Sequence, residues 1–213
     1  MKCDRQTMRL YAVTDRAWVG RQTLQEQVEA ALRGGATCVQ LREKELDGAA
    51  FLEEARTLAA LCRRYGVPLI INDNVEVALA SGADGVHVGQ DDQTVEQVRR
   101  LAGDRLIVGV SAHSVEQALA AQAGGADYLG VGAVFATATK ADAHVLPRET
   151  LADICRAVDI PVVAIGGIGE DNLLRLAGTG VDGVALVSAI FSAPDIEGQC
   201  RKLRALSERM VRA

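Results

Sequence analysis

The sequence predicts an α/β protein, a single-domain (βα)8 barrel that takes up residues 1–213. Eight short apolar runs alternate with stretches whose apolar residues are spaced as on one face of a helix. This alternation implies parallel strands joined by right-handed crossovers, and eight such units can close into a barrel. An open, doubly wound sheet is the structural alternative, but it accounts less well for eight evenly spaced units.

The predicted strands are short and follow one another along the whole chain. They cover residues 10–13, 38–39, 69–71, 86–88, 106–110, 128–134, 162–165 and 184–187. The helices between them have one apolar face, as in Leu24, Val28, Ala31 and Leu32. Because there is no linker, low-complexity segment or charge block that would divide the chain, we expect one domain.

A repeated segment opens every second strand of this prediction. It begins with a glycine that follows a helical stretch, at Gly35, Gly82, Gly125 and Gly180. Glycine suits the position just after a helix, where a positive φ is needed. The repeats lie 47, 43 and 55 residues apart, which leaves room for two βα units each. Four such double units give eight strands.

Composition excludes several classes of partner and location. The net charge of −5 argues against nucleic acid or an anionic membrane as a partner. No apolar run approaches the ~20 residues of a membrane-spanning helix, and the N-terminus lacks the apolar core of a signal peptide. An odd number of widely spaced cysteines indicates reduced thiols: Cys3, Cys38, Cys62, Cys155 and Cys200. We therefore expect a cytoplasmic protein, whose assembly into a homo-oligomer the sequence leaves open.

Polar residues follow nearly every predicted strand, and in a parallel barrel all eight strand ends lie on one rim. The seventh strand runs into Gly166 and Gly167, and the eighth runs into Ser188. In this fold the loops after these two strands often bind a phosphate through backbone N–H groups. The alternative is that the two glycines only form a tight turn. Their position favours a phosphate site.

Cationic residues are predicted on the same rim. Gln40, Arg42 and Lys44 alternate after the second strand and would share one face if that strand continued, and Lys140 follows the sixth strand. A guanidinium and two ammonium groups suit a highly charged anion such as pyrophosphate. Alternatively, Arg42 and Lys44 pair with nearby carboxylates on a solvated surface. Convergence with a phosphate site favours anion binding.

Carboxylates end two neighbouring strands. Asp73 follows the third strand, and Asp91 and Asp92 follow the fourth. Two carboxylates beside a polyphosphate are a usual way to hold Mg²⁺. The alternative is that Asp73, Asn74 and Asp92 are N-caps of the following helices.

The three histidines point to no acid–base centre. His87 lies within the fourth strand and is expected to be a packed, hydrogen-bonded residue, while His113 is a candidate for the rim. No histidine pair has metal-ligand spacing, and no nucleophile motif for acyl transfer is present.

Seven motifs together resemble those of the thiamine-phosphate synthase family, in order and along the whole chain. They read YAVTDR (11–16), QLREK (40–44), INDN (71–74), GVHVGQ (85–90), GVSAH (109–113), TATKAD (137–142) and IGGI (165–168). The family often carries prolines around the threonine loop, whereas this chain reads GAVFATATK at 132–140; the Thr-x-Thr-Lys core is present.

The resemblance implies roles for particular residues. Asp73 and Asp92 would hold Mg²⁺ as the cofactor. Residues that would bind a pyrimidine diphosphate are Gln40, Leu41, Arg42, Glu43, Lys44, Asn72, Ser111 and Lys140, among which Arg42, Lys44, Ser111 and Lys140 would be catalytic. Residues that would bind a thiazole phosphate are Thr137, Ala138, Thr139, Gly167, Val187 and Ser188.

The resemblance also implies the reaction. An aminopyrimidine methyl diphosphate and a thiazole phosphate, with or without a carboxylate, would be joined to give thiamine phosphate and pyrophosphate. Two anion sites on one rim agree with two phosphorylated substrates held close together. We expect a dissociative step helped by Mg²⁺ and cationic side chains. Two alternatives remain: a thiazole tautomerase of the related barrel family, and a non-catalytic thiazole-phosphate binding protein.

Overall fold

The computed structural model describes residues 3–20, 22–90, 92–137 and 145–213. Eight parallel strands pair in chain order, and β1 also pairs with β8, so the barrel is closed. The strands are β1 Leu10–Val13, β2 Cys38–Leu41, β3 Leu69–Asn72, β4 Gly85–Val88, β5 Ile107–Ala112, β6 Tyr128–Val131, β7 Val162–Ile165 and β8 Gly183–Leu186. The predicted (βα)8 barrel, or TIM barrel, is confirmed.

Helices cover the outside of the strands. They are α1 Leu24–Arg33, α2 Gly48–Tyr65, α3 Val75–Ser81, α4 Val95–Ala102, α5 Val115–Ala123, α6 Arg148–Ala157, α7 Ser188–Phe191 and α8 Ile196–Arg212. Polar residues start most of them: Thr23 and Thr94 form capping boxes on α1 and α4. The connection from β7 to β8 departs from this pattern, since its described helix is a single 3-10 helix, Leu173–Leu176.

The alternation of strand side chains divides the core into two layers. One layer lies between strands and helices and includes Leu10, Val39 and Leu41. The other lies inside the barrel and is built from Met8 and inward-facing strand residues such as Tyr11, Cys38, Ile70 and Tyr128. Because successive side chains point to opposite faces of a strand, the residue two positions after an inner one also faces inward. This rule decides which polar residues can reach the interior.

The repeated segments explain how the strand starts are held together. The four glycines have φ values of 97°, 74°, 97° and 91°, as the sequence predicted. Two residues after each glycine, a side-chain oxygen accepts the N–H of a residue at the start of the preceding strand: Thr37 from Leu10, Asp84 from Leu69, Asp127 from Val108 and Asp182 from Val162. The N–H of each of these four residues donates back to the carbonyl of the same partner.

Three strands end two or three residues away from their predicted positions: β5 extends from residue 110 to Ala112, and the other two are β2 and β6. β2 extends through Gln40 to Leu41, and β6 ends at Val131 rather than at residue 134. The chain leaves β6 early because Val134 donates its N–H to the carbonyl of Ile165, the last residue of β7, and Phe135 donates to that of Gly166. The loops after β6 and β7 therefore pack together at the C-terminal rim.

Candidate active site

A cavity of about 700 Å³ opens at the C-terminal ends of the strands. Residues from or directly after all eight strands line it, including Val13, Gln40, Asn72, His87, Ser111, Gly132, Ile165 and Val187. This size lies within the usual range for a small-molecule site. Among the predicted site residues, nine line the cavity: Gln40, Arg42, Asn72, Asp92, Ser111, Thr137, Gly167, Val187 and Ser188.

Strand alternation carries the polar side chains into this cavity. Gln40 lies two positions after Cys38, and Asn72 two positions after Ile70, both of which belong to the inner layer. Ser111 follows the inner residue Ile107 by four positions, so it has the same orientation. The register places Asn72 beside His87 and Ser111 beside Gly130. The floor of the cavity is therefore a ring of polar groups above apolar and tyrosine side chains.

Five side chains on and beneath this floor form a continuous line of hydrogen bonds across the barrel. The Gln40 amide Nε2 donates to the Tyr11 hydroxyl over 3.0 Å, and the Tyr11 and Tyr128 hydroxyl oxygens lie 2.8 Å apart. The Tyr128 oxygen lies 3.0 Å from Nδ1 of His87, whose Nε2 lies 3.0 Å from Oγ of Ser111. His87 is thus the packed, hydrogen-bonded residue that the sequence predicted.

Burial sets the protonation state of this line. It raises the pKa of Tyr11 and of Tyr128 well above the usual value for a phenol, so both remain protonated. It lowers the pKa of His87 to about 4, so this imidazole is neutral near pH 7.

The two carboxylates that were predicted to hold a metal lie next to each other. Partial burial and the neighbouring Asp92 carboxylate raise the pKa of Asp73 to about 6. The Asn72 amide donates to Asp73 over 2.5 Å, and the N–H of Gly89 donates to Asp92 over 2.7 Å. Helix capping does not account for either carboxylate, because α3 is capped by Asn74 and α4 by Thr94.

Two carboxylates that oppose each other in this way are a donor set that fits a hard divalent cation. Within the described ranges, no cluster of three or more His, Cys, Asp or Glu side chains is placed to hold a metal ion. A cation at Asp73 and Asp92 would therefore take its remaining oxygen ligands from water and substrate. That arrangement is typical of Mg²⁺, which keeps waters and binds substrate phosphates.

Ion pairs with Asp15 and Arg16, just after β1, hold the QLREK segment in place. β2 ends at Leu41, so the alternating face does not continue to Lys44. Arg42 lines the cavity and pairs with Asp15 over 3.0 Å rather than with the nearer acidic residues of its own loop. The Lys44 ammonium lies close enough to Asp73 to oppose the rise in the pKa of that carboxyl.

Two members of this segment have structural contacts of their own. Leu41 is buried in the layer between strands and helices. The Glu43 carboxylate accepts the N–H groups of Lys44, Glu45 and Leu46 and also pairs with Arg16. These contacts fix the backbone of the segment at the rim.

The loops after β6, β7 and β8 form the opposite side of the cavity. Thr137, Gly167, Val187 and Ser188 line it. Gly166 and Gly167 have φ values of 97° and 67°, and a Cβ at Gly167 would collide with the carbonyl oxygens of Phe135 and Ala136. The turn after β7 is thus both tight and pressed against the loop after β6. Ala138, Thr139 and Lys140, with Asp91, lie outside the described residues.

Two tyrosines that build the site were not among the predicted site residues: Tyr11 lines the cavity, and Tyr128 lies in the inner layer that supports it. His113, the candidate for the rim, lines the cavity with its Nδ1 2.6 Å from the carbonyl oxygen of Gly132. The alternation of side chains along a strand could have identified Tyr11, because it lies two positions before the cavity residue Val13 and so faces the same side. Tyr128 has the same relation to the cavity residue Gly130.

A closed (βα)8 barrel with this cavity at its C-terminal rim defines an enzyme of the barrel class that acts on small molecules. Comparison with known proteins identifies its family. A family model described as thiamine monophosphate synthase matches residues 10–190. The chain therefore belongs to the thiamine monophosphate synthase family, whose enzymes are transferases, and the family predicted from the seven motifs is confirmed.

Individual relatives agree with the family model. The chain is 52% identical over 194 residues to thiamine-phosphate synthase of Ruminiclostridium cellulolyticum, which covers 91% of this chain and 92% of the relative. It is 51% identical over 199 residues to thiamine-phosphate synthase of Chloroflexus aurantiacus, with 93% and 92% covered. The solved structure of thiamine phosphate pyrophosphorylase from Pyrococcus furiosus superposes with a TM-score of 0.89 at 42% identity, covering 97% of this chain and 98% of that one.

Among the described residues, no helix is both long and apolar enough to cross a membrane.

Proposed function

We propose that this chain joins 4-amino-2-methyl-5-pyrimidinylmethyl diphosphate to hydroxyethylthiazole phosphate, or to its carboxylated form, and releases thiamine phosphate and pyrophosphate. The observation that carries the proposal is one cavity of about 700 Å³ with two distinct polar sides. One side has the amide, guanidinium and carboxylate groups of β2, β3 and β4, and the other has the glycine turn after β7 and the start of α7.

The first side would bind the pyrimidine diphosphate. Gln40, Asn72 and Ser111 present amide and hydroxyl groups, and Arg42 presents a guanidinium to the same cavity. We assign Lys44 and Lys140 to the diphosphate as well, because ammonium groups stabilise the negative charge that grows on a departing pyrophosphate. Leu41 and Glu43 would contribute through the backbone that their side-chain contacts hold in place.

Asp73 and Asp92 would hold Mg²⁺ beside this diphosphate. The raised pKa of Asp73 supports the assignment, since a divalent cation would remove the repulsion between the two carboxylates. Bound there, Mg²⁺ would supply a Lewis acid that neutralises charge on the diphosphate oxygens.

The opposite side would bind the thiazole phosphate. The first N–H groups of a helix lack partners within that helix, and α7 begins at Ser188 directly after β8. Gly167 lets the backbone approach an anion closely. We assign Val187 and Thr137, which lie in the loops after β8 and β6, to the same phosphate, and with them Ala138 and Thr139, which follow Thr137 in the sequence.

The residues of this cavity support a dissociative reaction. A cation formed on the pyrimidine needs an electron-rich ring and a stabilised leaving group more than it needs a base. Among the described residues of the cavity floor, His87 is neutral and its two ring nitrogens already face Tyr128 and Ser111, so it does not act as a strong base. Arg42 and Ser111 bind and orient the leaving group, and the loops after β7 and β8 hold the thiazole nitrogen within reach of the cation.

The test is an assay of pyrophosphate release with both substrates, each substrate alone, and with or without Mg²⁺. We expect release only when both substrates and Mg²⁺ are present, together with one equivalent of thiamine phosphate. Release without the thiazole phosphate would indicate a hydrolase. Isomerisation of a thiazole phosphate without the pyrimidine would indicate the tautomerase, and binding without turnover would indicate a binding protein.

We also propose that residues 1–213 act as one domain in the cytoplasm. All five cysteines are free thiols, and burial raises the pKa of Cys62 and Cys200 to about 12, so these two are poor nucleophiles. Free, unreactive thiols support a reducing compartment.

A further inference from the structure

The line of hydrogen bonds from Gln40 to Ser111 is built into the barrel. Gly109 and Gly130 leave the space that its aromatic rings occupy: a Cβ at Gly109 would collide with the Tyr128 ring, and one at Gly130 would lie 3.0 Å from Cε1 of His87. The Tyr11 and Tyr128 rings meet edge to face, with centroids 5.9 Å apart. Both tyrosines are almost completely buried, so their hydroxyl groups depend on this line for partners.

The number of protons available along the line determines which group donates and which accepts in each hydrogen bond. A neutral imidazole has one N–H and one acceptor nitrogen. Gln40 donates to Tyr11, so the Tyr11 proton goes to Tyr128 and the Tyr128 proton goes to Nδ1 of His87. Nε2 of His87 then carries the N–H and donates to Ser111. The Ser111 oxygen is therefore an acceptor within the line, and its own proton is left for the cavity.

If every hydrogen bond in the line ran the other way, the Gln40 amide would have to be turned around. Tyr11 would have to donate to the Gln40 carbonyl oxygen, His87 would carry its proton on Nδ1, and Ser111 would donate to Nε2. The structure has Nε2 of Gln40 facing Tyr11. The Cys38 thiol also lies near the Tyr11 hydroxyl, but sulfur is a weak acceptor beside a phenol oxygen.

We propose that Tyr11, Tyr128 and His87 are positioning residues that keep the Ser111 hydroxyl proton directed into the cavity, where it donates to the leaving diphosphate. The proposal rests on the function proposed above. Its physical advantage is that a donor already oriented toward the growing charge needs no reorganisation during the reaction. Without the line, the same hydroxyl could turn its proton toward His87 and present lone pairs to an anion.

The decisive measurement is the tautomer of His87 in the ligand-free enzyme at pH 7.5. Two-bond ¹H–¹⁵N correlation spectra of ¹⁵N-labelled protein distinguish a proton on Nε2 from one on Nδ1, and loss of the signal in His87→Gln assigns it. We expect the Nε2–H tautomer. An Nδ1–H tautomer or an imidazolium would overturn the proposal, whether or not the enzyme has the proposed activity. Conversely, an inactive protein with the Nε2–H tautomer would contradict the proposed function only.

Variants then connect the tautomer to catalysis. Tyr128→Phe removes the donor to Nδ1, so we expect a mixture of tautomers and about a tenfold fall in kcat, as for other outer hydrogen-bond partners of active-site groups. The KM for the thiazole phosphate should not change. Tyr65→Phe is the matched control, because the Tyr65 hydroxyl bonds only to Glu29 at the surface among its described contacts.

Tyr11→Phe gives a graded comparison. Tyr128 can still donate to His87 in this variant, so the Nε2–H tautomer should persist and kcat should fall less than in Tyr128→Phe. A larger loss in Tyr11→Phe, or an unchanged tautomer and kcat in Tyr128→Phe, would show that the line does not orient Ser111.

Discussion

At the scale of single residues, Asp73 has the least ordinary conformation in the site. Its φ of 63° lies in the left-handed region, which aspartate and asparagine tolerate better than other non-glycine residues. Its N–H donates to the carbonyl of His87 over 2.8 Å, which ties the end of β3 to β4 and brings its carboxylate toward Asp92. The backbone thus holds two like charges together.

We predict that Asp73→Asn makes the enzyme less active and the protein more stable. Asparagine keeps the left-handed backbone and removes one charge. Loss of even an outer partner of a metal ligand lowers affinity roughly 10–100-fold, so a Mg²⁺ titration of pyrophosphate release should show at least that loss. The Tm at pH 8 without Mg²⁺ should rise, because the raised pKa of Asp73 means that its ionised form disfavours the fold.

The control for Asp73→Asn is Asp104→Asn. Asp104 is an exposed carboxylate in the turn before β5, at the other end of the barrel. We expect neither the Mg²⁺ titration nor the Tm to change in this variant. An unchanged Mg²⁺ titration in Asp73→Asn itself would remove Asp73 from the proposed metal site.

His87 should make stability depend on pH. The pKa of His87 is lowered to about 4 in the folded protein, while in the unfolded chain it is about 6.5. Between these values the unfolded chain binds a proton that the folded protein does not, so stability is lost as pH falls from about 6.5 to about 4. Relative to His87→Gln, we expect wild type to lose up to ~3 kcal/mol over this range.

Urea unfolding of both proteins at several pH values measures this difference. Asp73 acts with the opposite sign, because its pKa is raised to about 6 in the fold. Its contribution is present in both proteins and cancels in the comparison. Parallel curves for wild type and His87→Gln would mean that His87 is protonated equally in the folded and unfolded states.

At the scale of elements, the loops after β6 and β7 form one interlocked unit. Gly167 faces the carbonyl oxygens of Phe135 and Ala136, so a side chain there meets the protein itself as well as any ligand. We predict that Gly167→Ala costs at least ~1–2 kcal/mol from its positive φ alone. The KM for the thiazole phosphate should also rise, because both loops line the cavity. Urea unfolding and steady-state kinetics measure the two effects.

Gly169→Ala is the matched control in the same loop. Its φ is not in the left-handed region, and an added Cβ would have no atom within 4 Å. We expect its stability to lie within ~0.5 kcal/mol of wild type. Equal losses in both variants would show that the contact between the loops is not what constrains Gly167.

The elements also show how far sequence reasoning reaches. Eight strands, their parallel order and the positive φ of Gly35, Gly82, Gly125 and Gly180 followed from periodicity and local chemistry. The end of β6 did not, because it depends on hydrogen bonds from Val134 and Phe135 to Ile165 and Gly166 at the end of β7, about thirty residues away in the chain. Such a contact has no local signature.

The site, too, has residues that the sequence identified and contacts that it did not. Asp92 was found because strand ends of a parallel barrel converge, Asn72 and Ser111 were assigned from the family resemblance, and all three line the cavity. The alternative considered for Arg42 was an ion pair with the acidic residues next to it, but its partner is Asp15, just after β1. The meeting of Tyr11 with Tyr128 exists only once β1 and β6 face each other across a closed barrel.

At the scale of the whole molecule, one end of the barrel binds ligands and the other end contributes to stability. The C-terminal end carries the cavity, and at the N-terminal end Thr37, Asp84, Asp127 and Asp182 join neighbouring strands by paired hydrogen bonds. We predict that Asp84→Ala lowers the free energy of unfolding by roughly 1–3 kcal/mol, because the N–H of the buried Leu69 loses its partner. The kcat and KM of the folded enzyme should not change.

Asp84→Asn is the matched control, since its amide oxygen can still accept the N–H of Leu69. Denaturant unfolding should place it between wild type and Asp84→Ala. A change in kcat per folded molecule in either variant would contradict the separation of tasks between the two ends.

The fit of Tyr128 against Gly109 limits how this sequence can diverge. Any side chain at position 109 collides with the ring, and a smaller residue at position 128 opens a void in the barrel. Each change alone is therefore harmful, whereas a larger residue at 109 together with a smaller one at 128 can restore the volume. Sequences that descend from this chain should keep both residues or exchange both, so we expect positions 109 and 128 to vary together.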